Sequence, residues 1–304
     1  MSEIELGIGL SRLDDVAGSA QRAEALGYDF VVTGEHVFFY GPINNGLISL
    51  AAAAGATSTI KLMSTITLVP LYPAALLAKQ VASLDMVSNG RFNLGVGVGG
   101  EFAKEFEACG VPVKERGART NESLDILTKL FSEDHVEYQG KFNSIPGLTL
   151  SPKPKQTPLP IWISGRSEAA KTRCARFGTG WLPYMYTPEQ LESSLVSINT
   201  QAADFDRKEP IRPGLFIFFA VHEDSATAID MAAERLSKQY NQDFSKLVHK
   251  YAIAGNPDEC VARLSEYIDA GAQTIILNSA CPGGYTGTNE QLMAQSVLPR
   301  IKGN

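Results

Sequence analysis

The chain has 304 residues, 44% of them hydrophobic and 20% charged, with a formal net charge of −6 at pH 7. That length and apolar content suffice for a full core in one large domain spanning 1–304, and the acidic balance removes the basic surface that nucleic acid or an anionic membrane requires. No apolar run approaches the roughly 18 residues of a spanning helix, and the acidic start Met1-Ser2-Glu3-Ile4-Glu5 lacks a secretory pattern, so a cytoplasmic protein is expected.

In chain order, strands are expected at about 4–10, 28–33, 61–69, 91–97, 160–164, 180–185, 214–222 and 273–278, with helices between them. The unit Ala23-Glu24-Ala25-Leu26-Gly27 before Tyr28-Asp29-Phe30-Val31-Val32 reads as a helix closed by a left-handed glycine and followed by a buried parallel strand. The same grammar recurs at Ile268–Gly271 before Thr274–Leu277 and at Arg176-Phe177-Gly178 before Gly180-Trp181. Leu77, Val81 and Leu84, then Leu124, Leu127 and Phe131, give one apolar stripe per helix. Thr187-Pro188-Glu189-Gln190 and Asn256-Pro257-Asp258-Glu259 offer a capping side chain, Pro at the first helical position and a reciprocal acceptor three residues on.

Roughly eight such units in this length predict an α/β fold, a closed (β/α)8 TIM barrel with insertions at 99–119, 144–160 and 224–252. An open doubly wound sheet is the alternative. Four cysteines without a C-x-x-C pair fit a reducing compartment, and four scattered histidines without ligand spacing give no ground for a metal site.

Barrel chemistry collects at the carboxyl ends of the strands. There the sequence sets Glu35 and His36 with Phe38, Phe39 and Tyr40 after the second strand, and Ser164, Gly165 and Arg166 after the fifth. Trp181 and Tyr184 follow the sixth. Between Ser88 and Phe102, Gly95, Gly97 and Gly99 interrupt an apolar β pattern, which would let a large flat ligand lie against backbone. Gly95, Gly97 and Gly100 also match G-x-G-x-x-G, but that fingerprint needs an acid about 20 residues on at a strand end, whereas Glu115 and Glu122 fall in a polar stretch and a helix start. Aromatics, a His-Glu pair and a Gly-Arg cradle at a helix start together describe a flavin-sized anionic ligand.

These positions assembled, the chain resembles the bacterial luciferase-like monooxygenases, and within them the coenzyme F420-dependent oxidoreductases. The resemblance rests on Ala25–Phe30 leading to Glu35-His36, Ile66–Pro70 with Pro73, Ala78-Lys79-Gln80 through Leu84-Asp85 to Ser88-Asn89-Gly90-Arg91, Glu115–Arg119 and Pro160–Gly165. It implies a deazaflavin or flavin ring at the barrel mouth, resting on a bulge at Thr65 and Ile66 that carries a non-proline cis peptide, with the cofactor phosphate at Ser164, Gly165 and Arg166. It also implies His36 as the active-site histidine, oriented with the help of Glu35. Phe38, Phe39, Tyr40 and Tyr184 are expected to wall the substrate pocket, and Trp181 to stack on a ligand or to lid the core. Asn89 stands where the family has Gly, and Thr179 where it has an acid.

The leading expectation is F420-dependent hydride transfer to or from a small organic substrate, the alternative an FMN-dependent monooxygenase using oxygen. A cofactor-binding protein without turnover is the reading from a different class. A homodimer is suggested by the resemblance, and the Ala-rich stretch Leu50–Ala56 would allow close helix approach. The loops 36–46, 99–119 and 279–288 are expected to shape substrate choice.

Overall fold

A computed structural model describes residues 3–10, 12–207 and 209–303. Its strands are β1 (Glu5–Gly9), β2 (Phe30–Thr33), β3 (Lys61–Ser64), β4 (Thr67–Leu68), β5 (Phe92–Gly97), β6 (Val136–Gln139), β7 (Ser144–Leu148), β8 (Ile161–Ser164), β9 (Gly180–Leu182), β10 (Arg212–Val221), β11 (Ala252–Gly255) and β12 (Thr274–Ser279). Strands β1, β2, β3, β5, β8, β9, β10 and β12 pair in parallel in that order, and β12 returns to β1, closing a (β/α)8 TIM barrel. The open sheet is thereby excluded. Two pieces lie outside the expected pattern: the antiparallel hairpin β6–β7 and β11, which extends β10 on its outer side.

Alternation along the strands divides the core. Phe30, Val32, Met63, Trp162, Leu182 and Ile276 fill the barrel interior, where the Trp162 indole donates to Asn93 Oδ1 at 3.1 Å. Leu62, Leu94, Val96, Ile163 and Leu215 face outward onto the helices in a much larger cluster. Thr187 and Asn256 both form complete capping boxes with Pro at the helix start. Gly27 and Gly271 take the expected positive φ, +80° and +102°. Gly178 does not: its φ is −76°, and space explains it, since a Cβ there would lie 2.9 Å from Cys174 Sγ and 3.0 Å from its carbonyl.

The expected strand at 61–69 is broken. After β3 the chain bulges through a cis Thr65–Ile66 peptide before resuming as β4 beside β5. The bulge intrudes on its neighbours, and three glycines give it room. A Cβ on Gly34 would stand 2.8 Å from the Thr65 carbonyl oxygen, on Gly95 1.8 Å from that of Ser64, and on Gly97 1.9 Å from the Ile66 side chain. Ser64 fixes the crossing further, its hydroxyl donating to the Gly95 carbonyl and accepting from the Gly95 amide.

The Ser88–Arg91 turn has its own logic. Asn89 and Gly90 take φ of +60° and +79°, a geometry Asn tolerates. The turn delivers the Arg91 guanidinium to the carbonyls of Ala54, Thr57 and Ile60, where it caps the helix Gly46–Ala56. At Thr179, the hydroxyl accepts from the Ile161 amide at 3.0 Å, an acceptor role within reach of the carboxylate it replaces.

Substituting Gly95→Ala drives a methyl into the Ser64 carbonyl, which no rotamer change relieves. The expected cost is at least about 3 kcal/mol, read as a lowered urea midpoint; a wild-type midpoint would refute the packing account.

Candidate active site

His36, the Thr65–Ile66 bulge, Gly97 and Gly165 stand at the carboxyl ends of β2, β3, β5 and β8, four successive strands of the closed ring. They share one mouth, floored by the apolar interior.

The imidazole of His36 is held from the far side of a loop. Its Nδ1 lies 3.1 and 3.2 Å from the two oxygens of Glu105, which is wholly buried on the short helix Ala103–Ala108. The same carboxylate accepts from the amides of Val37 at 2.7 Å and Phe38 at 3.2 Å. A carboxylate accepting from these amides fixes the ring tautomer with the hydrogen on Nδ1, so Nε2 is the basic nitrogen. Among the described residues no protein group bonds Nε2. Phe39 stacks on the ring at 4.0 Å and 13°, and Tyr40 and Phe102 continue the aromatic chain edge to face.

Glu35 does not orient His36. Its carboxylate accepts from the Leu68 amide, the Tyr72 hydroxyl, the Gly46 amide and the Asn45 side chain, tying β2 to the segment after the bulge and to the next helix. Burial raises its pKa above the usual carboxylate range, against the pull of those donors. Glu105, which takes the orienting role, was absent from the expected set. Its signal was faint: Phe102, Glu105 and Cys109 share a helical face at three- and four-residue spacing, and an acid on such a face needs a partner.

The glycine reading is also corrected. Gly95 and Gly97 are vacated for the bulge, and a Cβ on Gly99, which has φ +58°, would meet Leu68 at 2.7 Å and Phe106 at 3.2 Å. Chain atoms, rather than a ligand, fill the space these three leave. Trp181 is fully buried in the outer cluster, edge-on to Tyr186, with its indole donating to the Gly165 carbonyl. It lids the core and steadies Gly165 from behind.

Ser164, Gly165 and Arg166 run into the helix Glu168–Phe177, capped by Ser167. Gly165 takes φ +118°, where a Cβ would press on Ala170. Arg166 is exposed and lies over the Tyr184 ring at 5.0 Å. An exposed guanidinium beside a helix start fits a phosphate. Burial, helped by Glu101, raises the Tyr184 phenol while Arg166 opposes the shift. A second aromatic wall, Phe216, Phe218 and Tyr240, stands on the β10 side and was not anticipated. Phe38 is 55% and Tyr40 75% exposed at the rim.

Beside His36 a cavity of about 440 Å³ opens between the 36–45 loop, the turn at Leu71 and Tyr72, and Cys109.

A closed barrel with residues gathered at the carboxyl ends of its strands is a scaffold on which enzyme sites are commonly built. The profile of the luciferase-like monooxygenases matches residues 2–274, and the chain belongs to that family. It is 24% identical to the F420-dependent glucose-6-phosphate dehydrogenase of Amycolatopsis mediterranei, covering 95% of this chain and 94% of that protein. It is 30% identical to the FMNH(2)-dependent dimethylsulfone monooxygenase of Pseudomonas fluorescens, covering 69% of this chain and 58% of that protein. The crystal structure of monooxygenase RslO1 from Streptomyces bottropensis superposes with a TM-score of 0.87 at 26% identity, covering 98% of this chain and 100% of that one. The chain spans 63% of the length of uncharacterised mycobacterial relatives that it matches at 30% identity. The proteins it resembles include both F420- and FMN-dependent enzymes. No helix among the described residues is long and apolar enough to cross a membrane.

Replacing Glu105 by Gln keeps an acceptor beside Nδ1 but removes the charge and turns one oxygen into a donor facing amides. Turnover is expected to fall about 100-fold with cofactor affinity within about twofold, measured by steady-state kinetics and titration. Unchanged turnover would remove Glu105 from the site.

Proposed function

We propose that the protein is an F420-dependent oxidoreductase that moves a hydride between the deazaflavin ring and a small organic substrate. The observation that carries this reading is His36, held through Nδ1 by a buried carboxylate and left with an unpartnered basic Nε2 at a barrel mouth. Removing a hydride from a carbinol or amine carbon releases a proton, and a positioned imidazole takes it up. Near-full-length similarity to F420-dependent dehydrogenases supports the choice of cofactor.

The residues fit such a group. The backbone at Thr65 and Ile66 would support the ring, and Ser164, Gly165 and Arg166 would hold the phosphate. When bound, the deazaflavin supplies two-electron hydride chemistry. The protein's own part is to orient the substrate, hold its proton at His36 Nε2 and keep water away with the Phe39, Tyr40 and Phe102 rings. An FMN-dependent monooxygenase is the second reading, favoured by the similarity to RslO1 and to the dimethylsulfone enzyme.

The same proposal includes a homodimer. The helix Gly46–Ala56 turns Ile48, Ala51, Ala52 and Gly55 to solvent, and the neighbouring helix Ala74–Val87 adds Leu76. No charged residue occurs from Val37 to Ile60. Small apolar residues at helical spacing allow close approach of a second copy. Cytoplasmic location and a small-molecule substrate, with no nucleic acid or membrane partner, belong to this reading as well.

Titration of the purified protein should give micromolar F420 binding and negligible FMN binding; the reverse preference would transfer the assignment to the monooxygenase reading. Ala52→Glu should yield a monomer by sedimentation velocity with the wild-type circular dichroism spectrum, and a dimer persisting in that variant would rule out this face.

A further inference from the structure

The side of the mouth formed by β10, β12 and β1 carries a polar group that nothing else in the protein uses. Ile276 of β12 points into the barrel interior, and Asn278, two residues on, points the same way. The neighbouring strand β1 makes room for both. A Cβ on Gly7 would lie 2.6 Å from Ile276 Cδ1, and one on Gly9 would lie 2.5 Å from Asn278 Oδ1. The Asn278 carboxamide therefore lies over the Gly9 backbone, at the level where Asn278 pairs with Phe218 of β10. Asn278 and Gly9 are both half-buried, so this part of the floor is open to the mouth. Among the described residues no group bonds the carboxamide.

Its surroundings define what it can hold. At the far end of the barrel Glu5, Arg212 and Thr274 bond one another. Above them, Asn278 is the one polar side chain at the inward positions of β1, β10 and β12. Rings stand beside it: Phe216 bridges to Tyr184, and Phe218 meets both Phe216 and Tyr240 edge to face. Aromatic walls favour an aromatic guest. A carboxamide offers donors and an acceptor, and a guest that covered it without a matching group would strip its water and leave it unpaired. A charged substituent would find no opposite charge on these three strands. β12 lies three strands from β3 in one direction and three from β8 in the other, so Asn278 stands across the mouth from the residues assigned to the cofactor.

We propose that Asn278 is a substrate-binding residue, and that this side of the mouth takes an uncharged aromatic molecule anchored to the carboxamide through a hydroxyl or amide substituent. That the guest is a substrate rests on the cofactor placement proposed above; the binding site itself does not.

Three probes of one shape separate the contributions: 2-naphthol, 2-methylnaphthalene without the polar group, and 2-naphthoate with a charge. Ligand-observed NMR titration of the wild-type protein, free and F420-loaded, should rank 2-naphthol at least about tenfold above the other two. Asn278→Leu should weaken 2-naphthol at least about tenfold and close its gap to 2-methylnaphthalene, with the F420 dissociation constant within about twofold of wild type. Gly9→Ala retains Asn278 but places a methyl where the carboxamide lies and meets no other side chain, so it should weaken 2-naphthol in the same direction with an unchanged circular dichroism spectrum. Equal binding of 2-naphthol and 2-methylnaphthalene by wild type would overturn the proposal, as would wild-type affinity for 2-naphthol in Asn278→Leu. Competition between 2-naphthol and F420, or loss of F420 affinity in Asn278→Leu, would also overturn it by giving Asn278 to the cofactor. If F420 failed to bind wild type while 2-naphthol still bound in a manner dependent on Asn278, the cofactor reading would fall and the aromatic site would stand.

Discussion

The third strand of this barrel does not finish as a strand. Between Ser64 and Thr67 its backbone turns into space that the neighbouring strands would ordinarily fill with side chains, and in a close-packed interior such an intrusion requires matching vacancies. Gly34 on one flank and Gly95 and Gly97 on the other provide them, at separations that exclude even a methyl group. The Ser64 hydroxyl then bonds both backbone groups of Gly95, so the irregular crossing keeps its polar atoms satisfied. The β2 side of the mouth takes its position from this bend: Leu68 reaches Glu35 because the chain has already turned, and the loop bearing His36 leaves β2 directly beside it.

Buried or half-buried carboxylates do much of the remaining positioning. Glu35 gathers donors from three segments, and Glu105 gathers two amides and an imidazole. Away from the mouth, Glu24 accepts from the amides of Ser58, Thr59 and Ile60, and Glu122 from those of Lys141, Phe142 and Asn143. Burial works to raise the Glu24 carboxyl, but these amides and the Thr59 hydroxyl outweigh it and hold it at about 2. Loops with few apolar side chains cannot be fixed by packing, and an anion that collects several amides fixes them by charge-assisted hydrogen bonds.

Much of this was legible in the residues because local rules and tertiary demands agree. Capping boxes at Thr187 and Asn256, glycines closing helices at Gly27 and Gly271, and alternating strand patterns all report local backbone chemistry. The barrel followed from their order. What stayed hidden depends on partners distant in the chain. Gly95 and Gly97 look the same whether a ligand or another strand occupies the space they leave. Glu35 adjoins His36 in sequence, yet the carboxylate in contact is 69 residues further on, and only its place on one face with Phe102 and Cys109 sets Glu105 apart from other helix acids. Trp181 at a strand end fits stacking and core packing equally until alternation is anchored to a particular face. The short β11 was not anticipated, because the four residues Ala252–Gly255, at the end of the insertion read over 224–252, are too few to show a strand pattern.

Glu105 resides in the 99–119 insertion, on a helix of six residues attached to the barrel frame by glycine-rich backbone on one side and the Val113–Glu115 turn on the other. His36 is thus mounted on the scaffold while its clamp is mounted on an appendage. Remodelling that appendage would move the His36 clamp in the same stroke, so the shape of the mouth and the orientation of the imidazole are inherited together and diverge together.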